Sequence, residues 1–161
     1  MKNSDHVKQH SAEALNKHPF LQGFSEQECE IIKACASFVE FEKHSRILQF
    51  QAPANCFYLL EYGQVCLFNH ISRSSTRPLE TLSAPSVLGW SWLMAPYLWH
   101  FDAEANTCVL AHRIDVEQLR TAMKKDVALG LKLYEKFVEI IVHRLQAVRL
   151  QNLDVYQVPQ S

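Results

Sequence analysis

The spacing of apolar positions changes period twice along the chain. Ala12, Ala14 and Leu15 offer a short helical face. His18-Pro19 should close it, because a residue before proline disfavours helix. Phe20-Leu21-Gln22-Gly23-Phe24 then reads as a turn closed by glycine. Ser25 stands three residues before Glu28, ahead of Ile31, Ile32 and Cys35. That is a capping box in front of an amphipathic helix.

From Ser37 the period shortens. Apolar runs occur at Phe38, Val39 and Phe41, at Ile47, Leu48 and Phe50, at 57–60, and at Val65, Leu67 and Phe68. Lys43-His44-Ser45, Ala52-Pro53-Ala54-Asn55 and Tyr62-Gly63-Gln64 separate them as turns. Further runs follow at 79–82, at Val87-Leu88 and at 107–114. Many short strands at even spacing predict a sandwich or barrel. After Ile114 the helical period returns. Val116, Leu119, Arg120, Ala122 and Met123 form one helix, ending near Lys124-Lys125-Asp126, and a last helix spans about 127–156. The chain is expected to be α+β and one domain over 1–161. N-terminal helices lead into a β-roll at about 36–114, with C-terminal helices at about 115–156.

The last helix carries two apolar sets. Tyr134, Val138, Ile141, Leu145, Val148, Asn152 and Val155 recur at alternating steps of four and three. This is a heptad seam with Asn152 at an a-type position. Leu129, Leu133, Phe137, Ile140, Ala147 and Leu150 flank it. One reading is a homodimer helix in which Asn152 fixes register. The other is a single amphipathic helix packed on its own roll, with Asn152 solvated. Two apolar faces favour the dimer, since one domain usually covers only one.

Composition narrows the function classes. Hydrophobic residues make up 48% and charged residues 20%, the balance of a globular protein. A net charge of -1 gives no footprint for nucleic acid. The 5 cysteines are odd in number and include no Cys-x-x-Cys pair. They predict neither disulfides nor zinc, and read as buried apolar thiols in a reducing cytoplasm. Met1 to His10 lacks an apolar signal core, and no run approaches membrane-spanning length. The 8 histidines are scattered without His-x-His or Glu-x-x-His spacing, so no metal or other cofactor is expected. No nucleophile signature such as Gly-x-Ser-x-Gly occurs, so no catalytic residue is assigned. Ser91 with His100 is too thin a pairing to count as one.

His18-Pro19-Phe20-Leu21 and the stretch Phe57-Tyr58-Leu59-Leu60-Glu61-Tyr62-Gly63-Gln64-Val65 carry a resemblance. They are similar to the opening turn, and to the central strand, glycine turn and return strand, of the cyclic-nucleotide-binding domain of the catabolite-activator/Fnr superfamily. Gly89 sits where that family's phosphate cassette begins, and the last helix resembles its dimer helix. The resemblance covers roughly 18–156. It implies an antiparallel double-stranded β-helix, a jelly-roll-like β-roll, in a regulatory and non-enzymatic module. A helix-turn-helix unit is not expected, since the sequence ends at Ser161, and direct transcription regulation is the weaker alternative.

The cassette departs from the family's recipe. There a short helix presents N–H groups to a cyclic phosphate, an arginine neutralises it, and a glutamate accepts from the ribose. Aligned on Gly89, Trp90 occupies the glutamate position. Aligned on Ala103, Phe101 occupies the arginine position and Asp102 its neighbour. His44 and Gln51 replace turn glycines. Losing the arginine forfeits a contact worth about 1.5–3 kcal/mol. With the other changes, binding of cAMP or cGMP should weaken about a hundredfold or more. Trp90, Trp92, Tyr97, Trp99 and Phe101 crowd the same segment. They could form platforms for a planar ligand, anchored by Ser91 and His100, or fill the roll themselves. The candidate pocket is Gly89, Trp90, Ser91, Trp92, Trp99, His100, Phe101, Asp102 and Ala103. A small ligand or a protein partner remains possible in this reading, and a ligand-free dimeric scaffold is its alternative.

Overall fold

The computed structural model describes residues 13–70 and 78–155, with side chains as far as 150. Ala12 and Tyr156 lie outside the described residues, as do the side chains of Asn152 and Val155. Residues 13–17 are helical, and Pro19–Leu21 form a 3-10 turn. Helix α1 is Glu26–Ala34 and carries the capping box: Ser25 Oγ accepts from Glu28 N–H, and the Glu28 carboxylate accepts from Ser25 N–H.

Among the described residues eight strands follow: β1 Ala36–Phe41, β2 Arg46–Leu48, β3 Cys56–Tyr62, β4 Gln64–Phe68, β5 Glu80–Ser83, β6 Ser86–Leu88, β7 Asp102–Ala105 and β8 Val109–Asp115. They form two antiparallel four-stranded sheets, ordered β1-β8-β3-β6 and β2-β7-β4-β5. The result is a β-roll with helices at both ends, the architecture that the resemblance implies. The run expected through Phe50 stops at Leu48. Strand β7 gave no signal, since Asp-Ala-Glu-Ala lacks the β-branched and aromatic residues that favour strands. It forms because it lies between β2 and β4, where Ala103 and Ala105 are fully buried. Small side chains suit that depth.

The replaced turn glycines keep a left-handed backbone: φ is 72° at His44 and 66° at Gln51. Such a φ costs a side-chain-bearing residue about 1–2 kcal/mol. Backbone bonds from His44 N–H to Ala105 O, 2.7 Å, and from Gln51 N–H to Trp99 O, 2.9 Å, hold it in place. At Gly63, φ is 91° and a Cβ would collide with the Cys108 carbonyl. That turn requires glycine.

Helix α2 is Val116–Lys125, capped by Asp115, which accepts from Gln118 N–H. Helix α3, Val127–Val155, starts where Asp126 accepts from Leu129 N–H. Leu129, Leu133 and Phe137 are fully buried. Phe137 meets Phe57, Trp92 and Phe20 at ring-centroid distances of 5.0, 5.2 and 5.5 Å. Lys132 adds an ion pair to Glu28 at 2.8 Å. This docking aims the next two turns of α3 across the mouth of the roll. Among the described residues, no helix is long and apolar enough to cross a membrane.

Candidate functional site

The chain leaves β6 at Gly89, where φ is +95°. The Trp99 indole lies against that glycine, so any Cβ would touch it. Ser91–Leu93 make one 3-10 turn, and a loop through Tyr97 returns to β7. Gly89, Trp90, Ser91, Trp99, His100 and Phe101 converge on one cavity, together with Leu48, Leu67, Glu80 and Arg144. Its volume is about 40 Å³. That holds a water molecule or little more, whereas small-molecule sites run from about 300 Å³. The buried Trp99 ring and the half-buried Trp90 ring take up space there, and Phe101 lines the rim from an exposed position.

Three residues of the expected pocket do not line it. Trp92 is fully buried in the core beneath α3, stacked on Phe57 at 5.6 Å, and its indole N–H has no hydrogen-bond partner. Its place in the 3-10 turn points it inward while Trp90 and Ser91 face the mouth. Ala103 is buried in β7. Asp102 is also buried, and its carboxylate accepts from Phe50 N–H at 3.0 Å and meets His70 Nδ1 at 3.2 Å, with Arg46 at 4.0 Å. Burial pushes Asp102 upward, but Phe50 N–H, His70 and Arg46 outweigh it and hold the carboxyl below its ordinary value. Its charge braces the 46–50 turn instead of facing the pocket.

The cation at the mouth comes from a residue outside the cassette. Arg144 on α3 reaches across, donates to Val87 O, and lies 3.6 Å from the Glu80 carboxylate. Its guanidinium sits over the Trp90 ring, 4.8 Å from the centroid. Burial pulls its pKa down from the ordinary value, and the Glu80 charge opposes that shift. The sequence did contain a signal: Arg144 continues the buried spacing of Leu129, Leu133, Phe137 and Ile140. A long cationic side chain on that face must find a partner.

Ser91 Oγ and His100 Nδ1 lie 3.1 Å apart, so the two polar residues expected to anchor a ligand hold each other. Arg120 stacks on Tyr97 at 4.4 Å and donates to Trp92 O. Cys35, Cys56 and Cys66 are buried, but Cys29 is half-buried and Cys108 is exposed beside Glu40. Position 108 opens a strand turn at the surface, which corrects the expectation of a buried thiol there. On α3, Tyr134, Val138, Leu145 and Val148 are exposed and Ile141 half-buried.

A family model for the cyclic nucleotide-binding domain matches residues 38–126, more than half of the chain. The chain belongs to the cyclic nucleotide-binding domain family. Solved structures of this family share its fold. A cyclic nucleotide-binding domain from Methylobacillus flagellatus is 14% identical with a TM-score of 0.75, over 92% of this chain and 84% of that one. The catabolite activator protein of Thermus thermophilus is 18% identical at 0.65, over 85% of this chain and 62% of its own length. The regulatory subunit of a cAMP-independent protein kinase A from Trypanosoma brucei is 15% identical at 0.62, over 77% and 46%. A comparison with curated proteins found no match. Cyclic nucleotide-binding domains are regulatory rather than catalytic as a family.

Proposed function

We propose that this cyclic nucleotide-binding domain is a non-enzymatic regulatory module that does not take cAMP or cGMP in the usual way. The observation that carries this reading is the filled mouth. Trp90 and Phe101 line it where the family places a glutamate and an arginine, and about 40 Å³ remains. Among the described residues the cation lining it is Arg144, already engaged by Glu80 and Val87. The Trypanosoma neighbour, described as cAMP-independent, is consistent with regulation on this fold without that nucleotide.

In this reading α3 carries the output. It is tied to the mouth through Arg144 and to the core through Phe137. A ligand or partner with unequal affinity for two positions of α3 would shift their populations. The outer face of α3 exposes Val127, Leu131, Tyr134, Val138 and Leu145 at steps of four, three, four and seven. That seam suits a second copy of the chain in a coiled coil. Free cysteines suit a reducing cytoplasm. Isothermal calorimetry of the full chain with cAMP and with cGMP tests the nucleotide part. No saturable heat supports the reading, and micromolar saturation overturns it.

A ligand-free scaffold is the second reading. The bond between Ser91 and His100 favours it, because the two residues expected to anchor a ligand already bond each other. A metabolite panel in the same calorimeter separates it from a sensor.

A further inference from the structure

We propose that the mouth of this roll is a receptor for a guanidinium group, filled by Arg144 of the same chain and able to take a small free guanidinium compound when α3 withdraws that side chain. The proposal rests on the reading of the mouth as self-filled, and it names the ligand class.

Among the described residues three groups meet the Arg144 guanidinium, and each of them prefers a cation. The Trp90 ring offers its negative face at 4.8 Å, and tryptophan is the strongest aromatic partner for a cation. Glu80 offers a carboxylate at 3.6 Å. The Val87 carbonyl accepts a hydrogen bond from Nη2. The planar guanidinium suits this arrangement because it can stack and donate at the same time. Without Arg144 the same wall would present a carboxylate, a carbonyl oxygen and a π face. An anion such as a cyclic phosphate would be repelled there. Desolvation strengthens the preference, since the Arg144 and Glu80 side chains are only 14% and 27% exposed.

The geometry also provides a way in. Arg144 lines the 40 Å³ cavity and also an open cleft of about 470 Å³ between the Pro19–Leu21 turn, the β5–β6 turn and α3. Its side chain borders both, so withdrawing it would open the inner space toward a volume that admits a small molecule. Lys136, which also lines that cleft, is engaged by Gln22 O and Glu139. In the intact chain a free guanidinium compound must compete with a tethered one, whose effective concentration is millimolar or higher.

The test is chemical rescue in the full chain. Arg144→Ala removes the tethered group, and ethylguanidinium replaces the part of the side chain that was lost. We expect saturable calorimetric binding with Kd about 1 mM, the range of a fragment with a few contacts, together with a rise in thermal midpoint. Ethylurea, the neutral isostere, should do neither. Adding Glu80→Gln should weaken binding about tenfold. Wild type should bind at least tenfold more weakly than the variant. If Arg144→Ala does not fold, Arg144→Ser, which also removes the stem, receives the same titration; a variant that folds only with ethylguanidinium counts as support. The proposal is overturned if ethylguanidinium neither binds nor restores folding. Equal response to ethylurea, equal binding by wild type, or indifference to Glu80→Gln also overturns it. The cAMP titration of wild type reports separately on the reading beneath it.

Discussion

Trp99 stands against Gly89: a Cβ on the glycine would lie 2.8 Å from two atoms of the indole ring. The glycine therefore serves two needs, a left-handed φ of +95° and room for the ring that fills the roll. Gly89→Ala should cost about 2–4 kcal/mol, combining backbone strain with overpacking. Trp99→Leu in the same chain should relieve part of it, with a coupling of about 1 kcal/mol in a double-mutant cycle. Urea unfolding of the four proteins measures both, and additive costs would show that the contact is not felt.

Glu80→Gln should loosen α3 more than it loosens the roll. It leaves the half-buried Arg144 charge without its counter-ion. Breaking a fully buried pair costs about 3–5 kcal/mol, and partial exposure reduces this to about 1–2 kcal/mol. Amide hydrogen exchange around residues 140–150 should accelerate, while β3 and β8 stay protected. Uniform acceleration would mean that Glu80 supports the whole fold instead.

Stability should fall between neutral and mildly acidic pH, in part through His18. Its Nε2 donates to Leu60 O and its Nδ1 accepts from Phe20 N–H, which needs the neutral ring. Burial lowers its pKa from 6.5. A neutral ring in the fold and a protonated one in the unfolded chain give a contribution that is complete above pH 6.5. It is lost as pH falls from 6.5 through the lowered folded value. His18→Gln should flatten the urea midpoint against pH between about 7.5 and 5. Asp102 acts in a lower window: its depressed pKa gives stability that is present above pH 3.8 and is lost below it.

Val138→Asp with Leu145→Asp should convert a dimer to monomer without unfolding it. Both side chains are exposed on α3, away from Phe137. Two charges in an apolar seam oppose association far more than folding. Sedimentation equilibrium reads the mass, and circular dichroism reads the fold. A wild type that sediments as a monomer would remove the dimer from the account.

Much of the fold was legible because period and capping are local. Ser25 with Glu28, the shift at Ser37 and the return of helix after Ile114 all depend on neighbours in sequence. Strand β7 was hidden because Ala103 and Ala105 carry no propensity, and only their place between β2 and β4 makes them strand. At the site, Trp90 and Phe101 were legible by alignment on Gly89 and Ala103. Trp92 and Asp102 were misplaced because successive residues of a turn or strand face opposite ways. Arg144 lies 54 positions after Trp90, so no local window could pair them. Only the inner-face spacing of α3 pointed to it.

In the proposed reading, this chain's own side chains occupy the mouth of its roll. A two-dimensional ¹H–¹⁵N spectrum watches them directly, through the indole N–H signals of Trp90 and Trp99 and the Nε–H signal of Arg144. With cAMP or cGMP added to about 1 mM, all three signals should stay where they are. Saturable movement of those signals at micromolar nucleotide would contradict it.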